Sequence, residues 1–283
     1  DTPLKMRGLG FLLNLHSFNK PSFKRWCLDH GCYPSPFALG KLEFSKGPKG
    51  RKALADIHAE IKDRMVRIQR SDIPDFPQGL VISKLIDLDA SYAKEVKQIY
   101  KDMEARLKLP GANELVELGK AREKTERYKV PAFVELVTET LAEGVSPVVF
   151  LNYHSSREAL VDALTEAGIT NVSQIHGRQN DEDRAEAIDR FQDNTNHVCV
   201  VMAAAGGAGI SLHDLNGRPR ATFVTPSFNA VEMLQVLGRA HRLGGSKVIQ
   251  TFVLAANTIE ERIHRAIQRK LKNIQTLNDG DLV

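Results

Sequence analysis

Pro147-Val148-Val149-Phe150-Leu151-Asn152-Tyr153 opens the part of the chain whose pattern decides the fold. A short β-branched and aromatic run predicts a strand at Val148 to Leu151. Ser156 to Ala167 follows with Leu160, Ala163 and Leu164 spaced for one helical face, and then Val172 to Ile175 makes a second short apolar run. The alternation continues. Asp181 to Gln192 sets Ala187, Ile188 and Phe191 on one helical face, and Val198 to Met202, Thr222 to Thr225 and Ile249 to Leu254 predict three further strands. Strands alternating with amphipathic helices predict βαβ units and a parallel, doubly wound sheet.

Outward from this core the pattern changes. Residues 1 to 146 carry amphipathic helices at Ala53 to Gln69, Ser91 to Leu107 and Pro131 to Ala142, separated by Pro/Gly-rich loops at Tyr33 to Gly50 and Ser71 to Gly79. One strand is clear there, Leu80 to Leu88, so this region reads as mostly helical. At the other end, Thr258-Ile259-Glu260-Glu261 fits a capping box, and Ile259, Ile263, Ile267, Leu271 and Ile274 form an apolar stripe. The final helix is basic on its outer face through Arg262, Arg265, Arg269 and Lys272.

The 283 residues are 42% hydrophobic and 26% charged, which excludes disorder, collagen and coiled coil as the main architecture. No apolar run approaches the roughly 18 residues of a membrane span. The opening Asp1-Thr2-Pro3-Leu4-Lys5-Met6-Arg7 has neither an initiator Met nor a leader's apolar region, which predicts processing or a fragment of a longer chain. Three sparse cysteines, Cys27, Cys32 and Cys199, predict a reducing compartment. Cys27, His30 and Cys32 are close enough in sequence for a metal, but no second pair follows at zinc-finger spacing, and ordinary partly buried thiols are the expectation. A net charge of +4 permits a polyanionic partner without demanding one.

Ligands of open parallel sheets bind beyond the carboxyl ends of the strands. After Val198 to Met202 comes Ala203-Ala204-Ala205-Gly206-Gly207-Ala208-Gly209-Ile210-Ser211-Leu212, where glycines permit close approach of a backbone or phosphate. The spacing is not that of a dinucleotide fingerprint, and a purely structural turn remains an alternative. After Thr222 to Thr225 comes Gln235-Val236-Leu237-Gly238-Arg239-Ala240-His241-Arg242. On a helix, Gln235, Arg239 and Arg242 fall within about 60° of one another, opposite Met233, Leu237 and Ala240. Planar, permanently charged guanidiniums bind phosphate bidentately and stabilise charge on a transferring phosphoryl group. The competing reading is a solvated basic helix face.

Gln235-x-x-Gly238-Arg239-x-His241-Arg242 resembles motif VI of superfamily 2 helicases, in the form typical of Snf2-family DNA translocases. Gly206 to Leu212 resembles motif V, Phe150-Leu151-Asn152-Tyr153 motif IV, and His176-Gly177 with Arg184 the segment between them. Arg67-Ile68-Gln69-Arg70-Ser71-Asp72-Ile73-Pro74-Asp75-Phe76-Pro77 is similar to the segment joining the family's two motor lobes, and Thr2-Pro3-Leu4 with Leu9 to Leu15 to the tail of motif III. The resemblance implies an α/β, RecA-like (P-loop NTPase-type) parallel sheet with flanking helices, plus a mostly helical N-terminal region. It divides the chain into 1–79, the end of the first lobe and a helical protrusion; 80–146, an interlobe linker strand and helices; 147–256, the second lobe; and 257–283, a brace helix.

The same resemblance implies roles. Arg239 and Arg242 reach the γ-phosphate and Gln235 orients them; Gly207, Gly209 and Gly238 lie on the nucleotide side; Asn152, His154, His176, Gly177, Arg184 and Gly206 face nucleic acid. ATP with Mg2+ is the implied cofactor, bound mainly by a first lobe outside this chain. That lobe and DNA, chiefly its duplex phosphate backbone, are the implied partners, with no membrane, inside a bacterium or phage-infected cell or in a nucleus. The chain departs from the family pattern with Ala203 and Ala204 where Ser or Thr opens motif V, Phe228-Asn229 for Trp-Asn-Pro, and Gly244-Gly245 for Gly-Gln. No G-x-x-x-x-G-K-[ST] loop occurs, Gly47-Pro48-Lys49-Gly50-Arg51-Lys52 being the nearest approach, so the expectation is a half-motor inactive alone. The alternatives are the motor portion of an RNA helicase or restriction system, and a non-catalytic nucleic-acid-binding module.

Overall fold

The computed structural model describes residues 2–66, 68, 72–107, 113–206 and 209–279. Two compact units are present: residues 1–73 with 266–283, and residues 74–265.

The first unit contains helices α1 (Arg7–Leu12), α2 (Lys20–Asp29) and α3 (Gly47–Ile61), and a two-stranded antiparallel sheet of β1 (Cys32–Pro34) and β2 (Leu42–Phe44). Its core joins Trp26 and Cys27 of α2, Cys32 of β1 and Leu54, Ile57 and Ile61 of α3. Asn19 caps α2 by accepting from the Ser22 amide at 2.9 Å. Two sequence expectations are corrected here. Tyr33 to Gly50 is not wholly loop, because it contains most of a hairpin whose strands are too short to show alternation, and also the start of α3. Helix α3 begins at Gly47 and ends at Ile61, whereas the sequence predicts Ala53 to Gln69; Gln69 lies outside the described residues. The Gly-Lys segment is therefore a helix start, in which a Cβ on Gly50 would collide with the Ser45 carbonyl.

The second unit is a six-stranded parallel sheet of order β3-β8-β7-β4-β6-β5. Its strands are β3 (Gly79–Ile86), β4 (Ser146–Leu151), β5 (Val172–Ile175), β6 (Val198–Met202), β7 (Arg220–Val224) and β8 (Val248–Ala255). Strands β4 and β6 are buried at every residue, which suits their apolar runs. Helices α4 (Ala90–Leu107), α5 (Glu114–Arg127), α6 (Val130–Ala142), α7 (His154–Glu166), α8 (Asp181–Gln192), the short turn α9 (Ala203–Gly206) and α10 (Ala230–Ala240) flank or connect the strands. Phe133 and Val137 of α6 and Leu160 and Leu164 of α7 pack with Val149, Leu151, Val200 and Phe223. Burying each such side chain stabilises the fold by roughly 1.5–3 kcal/mol.

The strand read from sequence as an interlobe linker is the edge strand of this sheet, parallel to β8 with Gly79 opposite Val248 and Ile86 opposite Ala255. The sequence divides the chain at 79/80, 146/147 and 256/257, whereas the compact units divide it at 73/74 and 265/266. Helix α11 (Ile259–Asp279) contains the second of these boundaries. Its start is capped with bonds displaced by one residue from those of the expected capping box: Thr258 Oγ1 accepts from the Glu260 amide at 3.2 Å, and Glu261 Oε1 accepts from the Asn257 amide at 2.7 Å. Ile263 and Ile267 are fully buried, while Arg262, Arg265, Arg269 and Lys272 are exposed. Among the described residues no helix is long and apolar enough to cross a membrane.

Candidate functional site

Helix α10 is fixed before its arginines are placed. Asn229 caps it by accepting from the Glu232 amide, Met233, Val236, Leu237 and Ala240 are buried, and Gln250 of β8 donates to the Leu237 carbonyl at 2.8 Å. The sequence places Arg242 on this helix, but the helix ends at Ala240 and His241 is extended, with φ −109° and ψ 91°. His241 has partners that a helical course would not reach. Its Nε2 lies 2.7 Å from the Pro77 carbonyl and its ring meets Phe76 edge-on at 5.0 Å. Gly79 lies beneath the ring, and a Cβ there would collide with it. Motif VI thus holds Phe76 to Gly79 at the entry to β3.

The arginine face is not solvated. Arg239 is 8% exposed, its Nη1 donates to the Ile210 carbonyl at 3.2 Å, and its own carbonyl accepts from the Leu212 amide at 2.9 Å. Arg242 is half-buried; Nη1 donates to Ser211 Oγ at 2.7 Å, Nη2 to the Ile210 carbonyl at 3.2 Å and Nε to the Gly238 carbonyl at 3.1 Å. Both guanidiniums therefore converge on Ile210. Burial, and then the Arg242 charge, push the Arg239 pKa down, the response of a crowded cationic centre. His213 lies beside Arg242 and is pushed down by burial and by that charge. A Cβ on Gly245 would press on the His213 side chain at 3.2 Å and on the Arg242 carbonyl at 3.3 Å. Gln235 is exposed on α10, and Gly238 lies half-buried in its last turn. Gly209 is exposed with φ +66°, Gly206 ends α9, and Gly207 lies outside the described residues.

The residues read as facing nucleic acid form two groups at the carboxyl ends of the strands. His154 and His176, following β4 and β5, meet edge-to-face at 5.9 Å, both held below the usual imidazole range by burial first. The Arg178 amide donates to His176 Nδ1, and Gly177 between them is exposed. Arg184 of α8 donates to the Ala205 carbonyl at 2.8 Å, tying that helix to the motif V turn. Asn152 is turned inward: its Nδ2 donates to Glu126 Oε2 at 2.9 Å and to the Pro226 carbonyl at 3.4 Å.

Glu126 was missed by the sequence reading. It is 1% exposed and accepts from the Asn152 and Tyr153 amides at 3.0 Å; burial raises its pKa against the opposing pull of Lys129 and these hydrogen bonds. Lys129, also missed, is fully buried and pairs with Glu260 Oε1 at 2.9 Å while donating to the Val253 carbonyl at 3.0 Å. Arg122 donates to the Pro226 carbonyl at 3.0 Å and lies 5.4 Å over the Phe228 ring, so an aromatic at 228 serves as a platform. These residues sit in the charged run Lys120 to Lys129, for which the sequence pattern predicts no role.

Residues 128–244 match the helicase conserved C-terminal domain family. The chromatin-remodeling ATPase INO80 of Saccharomyces cerevisiae is 22% identical over 284 residues, spanning 96% of this chain and 18% of that protein. The chain contains a Snf2-type C-terminal helicase lobe of superfamily 2. A protein of Acanthamoeba polyphaga mimivirus whose name describes an ATP-dependent RNA helicase is 35% identical over 235 residues, 80% of this chain and 43% of that protein. The chain thus spans less than half the length of either relative. The Sulfolobus solfataricus SWI2/SNF2 ATPase C-terminal domain shares the fold of this Snf2-type lobe with a TM-score of 0.50 and 15% identity, over 69% of this chain and 87% of that one.

Proposed function

We propose that the chain is one half of an ATP-driven DNA translocase, supplying the cationic wall of the nucleotide cleft and part of the track for a DNA backbone. The observation that carries this reading is the convergence of Arg239 and Arg242 on Ile210 and Ser211, which welds motif V to motif VI. Arg242 is the more accessible of the two and is assigned to the γ-phosphate; Arg239 holds the loop that carries Arg242's partner. Two guanidiniums and a serine hydroxyl fit an anionic phosphoryl group, and bound ATP supplies the bond whose cleavage drives movement. Arg242 stabilises charge that grows in the transition state. Most of the nucleotide and its Mg2+ are assigned to a first lobe outside this chain.

His241 links this site to mechanics, because a shift of motif VI moves the Pro77 carbonyl and with it the segment leading into β3. His154, His176 and Gly177 face the tracked strand and hold phosphates without reading bases, while Asn152 contributes by positioning Tyr153 and the turn after β4. The name of the mimivirus relative favours a second reading in which the polymer is RNA. ATP turnover by the complete two-lobe protein, measured alone and with duplex DNA or RNA, separates them. Stimulation by duplex DNA supports the proposal, stimulation by RNA alone moves it to an RNA helicase, and no turnover under any condition identifies a binding module.

A further inference from the structure

The first unit contains a cavity of about 410 Å³ remote in sequence from the segments resembling motifs IV, V and VI, with Thr2 and Leu4 on its wall. Lys46 and Arg51 enter it from the start of α3, and Arg269, Lys270 and Lys272 from the C-terminal part of α11. Among the described residues, Glu43 is the single carboxylate in the wall, and it accepts from Tyr33 OH at 3.1 Å and Ser35 Oγ at 2.5 Å. Leu42 and Phe44 give the cavity an apolar side. The first turn of α3 forms part of the wall, and no side chain caps it.

Cations repel one another, so their gathering in a concave site is stable only where an anion or water offsets the field. The crowding is felt within the cavity: Lys270 is held below the usual lysine range by burial, by Lys5 and by Arg269. A volume of this size matches a small-ligand site rather than a single counterion. Cations beside an apolar wall fit one nucleotide unit of a polymer, its phosphate on the lysines and arginines and its sugar or base against Phe44.

We propose that this cavity is a second nucleic-acid contact, taking a backbone phosphate of the strand on Arg51, Arg269 and Lys272, outside the helicase lobe. The proposal rests on the nucleic-acid reading given above. Its chemistry is shared with free polyphosphates, and the polymer is the assigned source because an anchored second contact lengthens the bound track and raises affinity without a new specificity.

The test uses the full chain, a fluorescein-labelled oligonucleotide duplex followed by anisotropy at several salt concentrations, and inorganic tripolyphosphate followed by calorimetry. Arg269→Gln with Lys272→Gln changes two exposed residues, and Lys46→Gln with Arg51→Gln approaches the cavity from the other side. Lys94→Gln with Lys124→Gln removes equal charge from exposed positions elsewhere. Each cavity pair is expected to weaken duplex binding at least about fivefold near 0.1 M salt and to lower the salt slope by about one to two, against less than about twofold for the control pair. Equal losses in all three variants overturn the site in favour of net charge. Loss of tripolyphosphate binding with unchanged duplex affinity overturns the polymer as its occupant. If the unaltered chain binds no duplex, the nucleic-acid reading itself fails; if it binds and the cavity variants bind equally well, only this inference fails.

Discussion

Lys129 and Glu260 meet at 2.9 Å with side chains 0% and 4% exposed, joining the turn before α6 to the first turn of α11. Neither charge is left to water: Lys129 also donates to the Val253 carbonyl, and Glu260 Oε2 accepts from the Ala255 amide at 2.8 Å. The pair pins the end of β8 from both sides. Removing one partner strands the other in the core. Lys129→Met is expected to cost about 3–5 kcal/mol in urea unfolding, and Lys129→Met with Glu260→Leu to recover part of it. A loss under about 1 kcal/mol for the single variant contradicts the account.

Gly79 and His241 set a second expectation. Gly79→Ala forces a methyl into the imidazole and should cost about 1–3 kcal/mol by overpacking. His241→Ala removes the obstacle but also the contact to Pro77. The two substitutions are therefore non-additive, with the double variant more stable than the sum of the single losses. Strict additivity in a double-mutant cycle would show that the ring does not sit over Gly79.

Stability should fall on acidification. His154, His176, His213 and His264 all have pKa values lowered by burial, so below about 6.5 the unfolded chain takes up protons that the fold resists. Their contribution is present above that pH and is lost as pH falls through the lowered values. Glu126 has the opposite sign: its raised pKa favours the fold below about 4.3, a contribution lost as pH rises through the folded value. Melting temperatures at pH 7.5, 6.5 and 5.5 should decline, less steeply in His264→Gln. A melting temperature that rises toward pH 5.5 reverses the assigned sign for the histidines.

The parallel sheet was legible because β4 and β6 are apolar without interruption and α7 and α8 keep their spacing, so local pattern and tertiary burial agree. The site was legible only as chemistry. Gln235, Arg239 and Arg242 belong to one motif, but their helical geometry failed because His241 leaves the helix to bind Pro77, a partner 164 positions away. Glu126 and Lys129 were invisible for the same reason: a glutamate and lysine three apart look like a surface pair until their burial against β4, β8 and α11 is known. The hairpin of β1 and β2 is too short to show a period.

The chain by itself should hydrolyse ATP negligibly while binding duplex DNA with a steep salt dependence and little sequence preference. The binding side is checked by anisotropy with two unrelated duplexes at low and moderate salt, and the catalytic side by phosphate release. Robust DNA-stimulated turnover by the pure chain is incompatible with a half-motor.

The central claim is that Arg242 acts on the transferring phosphate. Arg239→Ala is a poor probe, because Arg239 is buried and its loss also frees Ile210. Arg242→Ala is the sharper one, since the residue is half-buried and lies beyond the end of α10. The decisive measurement is kcat for ATP in the complete two-lobe protein carrying Arg242→Ala, with melting temperature and nucleotide affinity taken alongside. The account predicts a fall of about a hundredfold or more in kcat, a smaller loss of nucleotide affinity, and a fold that persists. Normal turnover in a folded Arg242→Ala protein contradicts it.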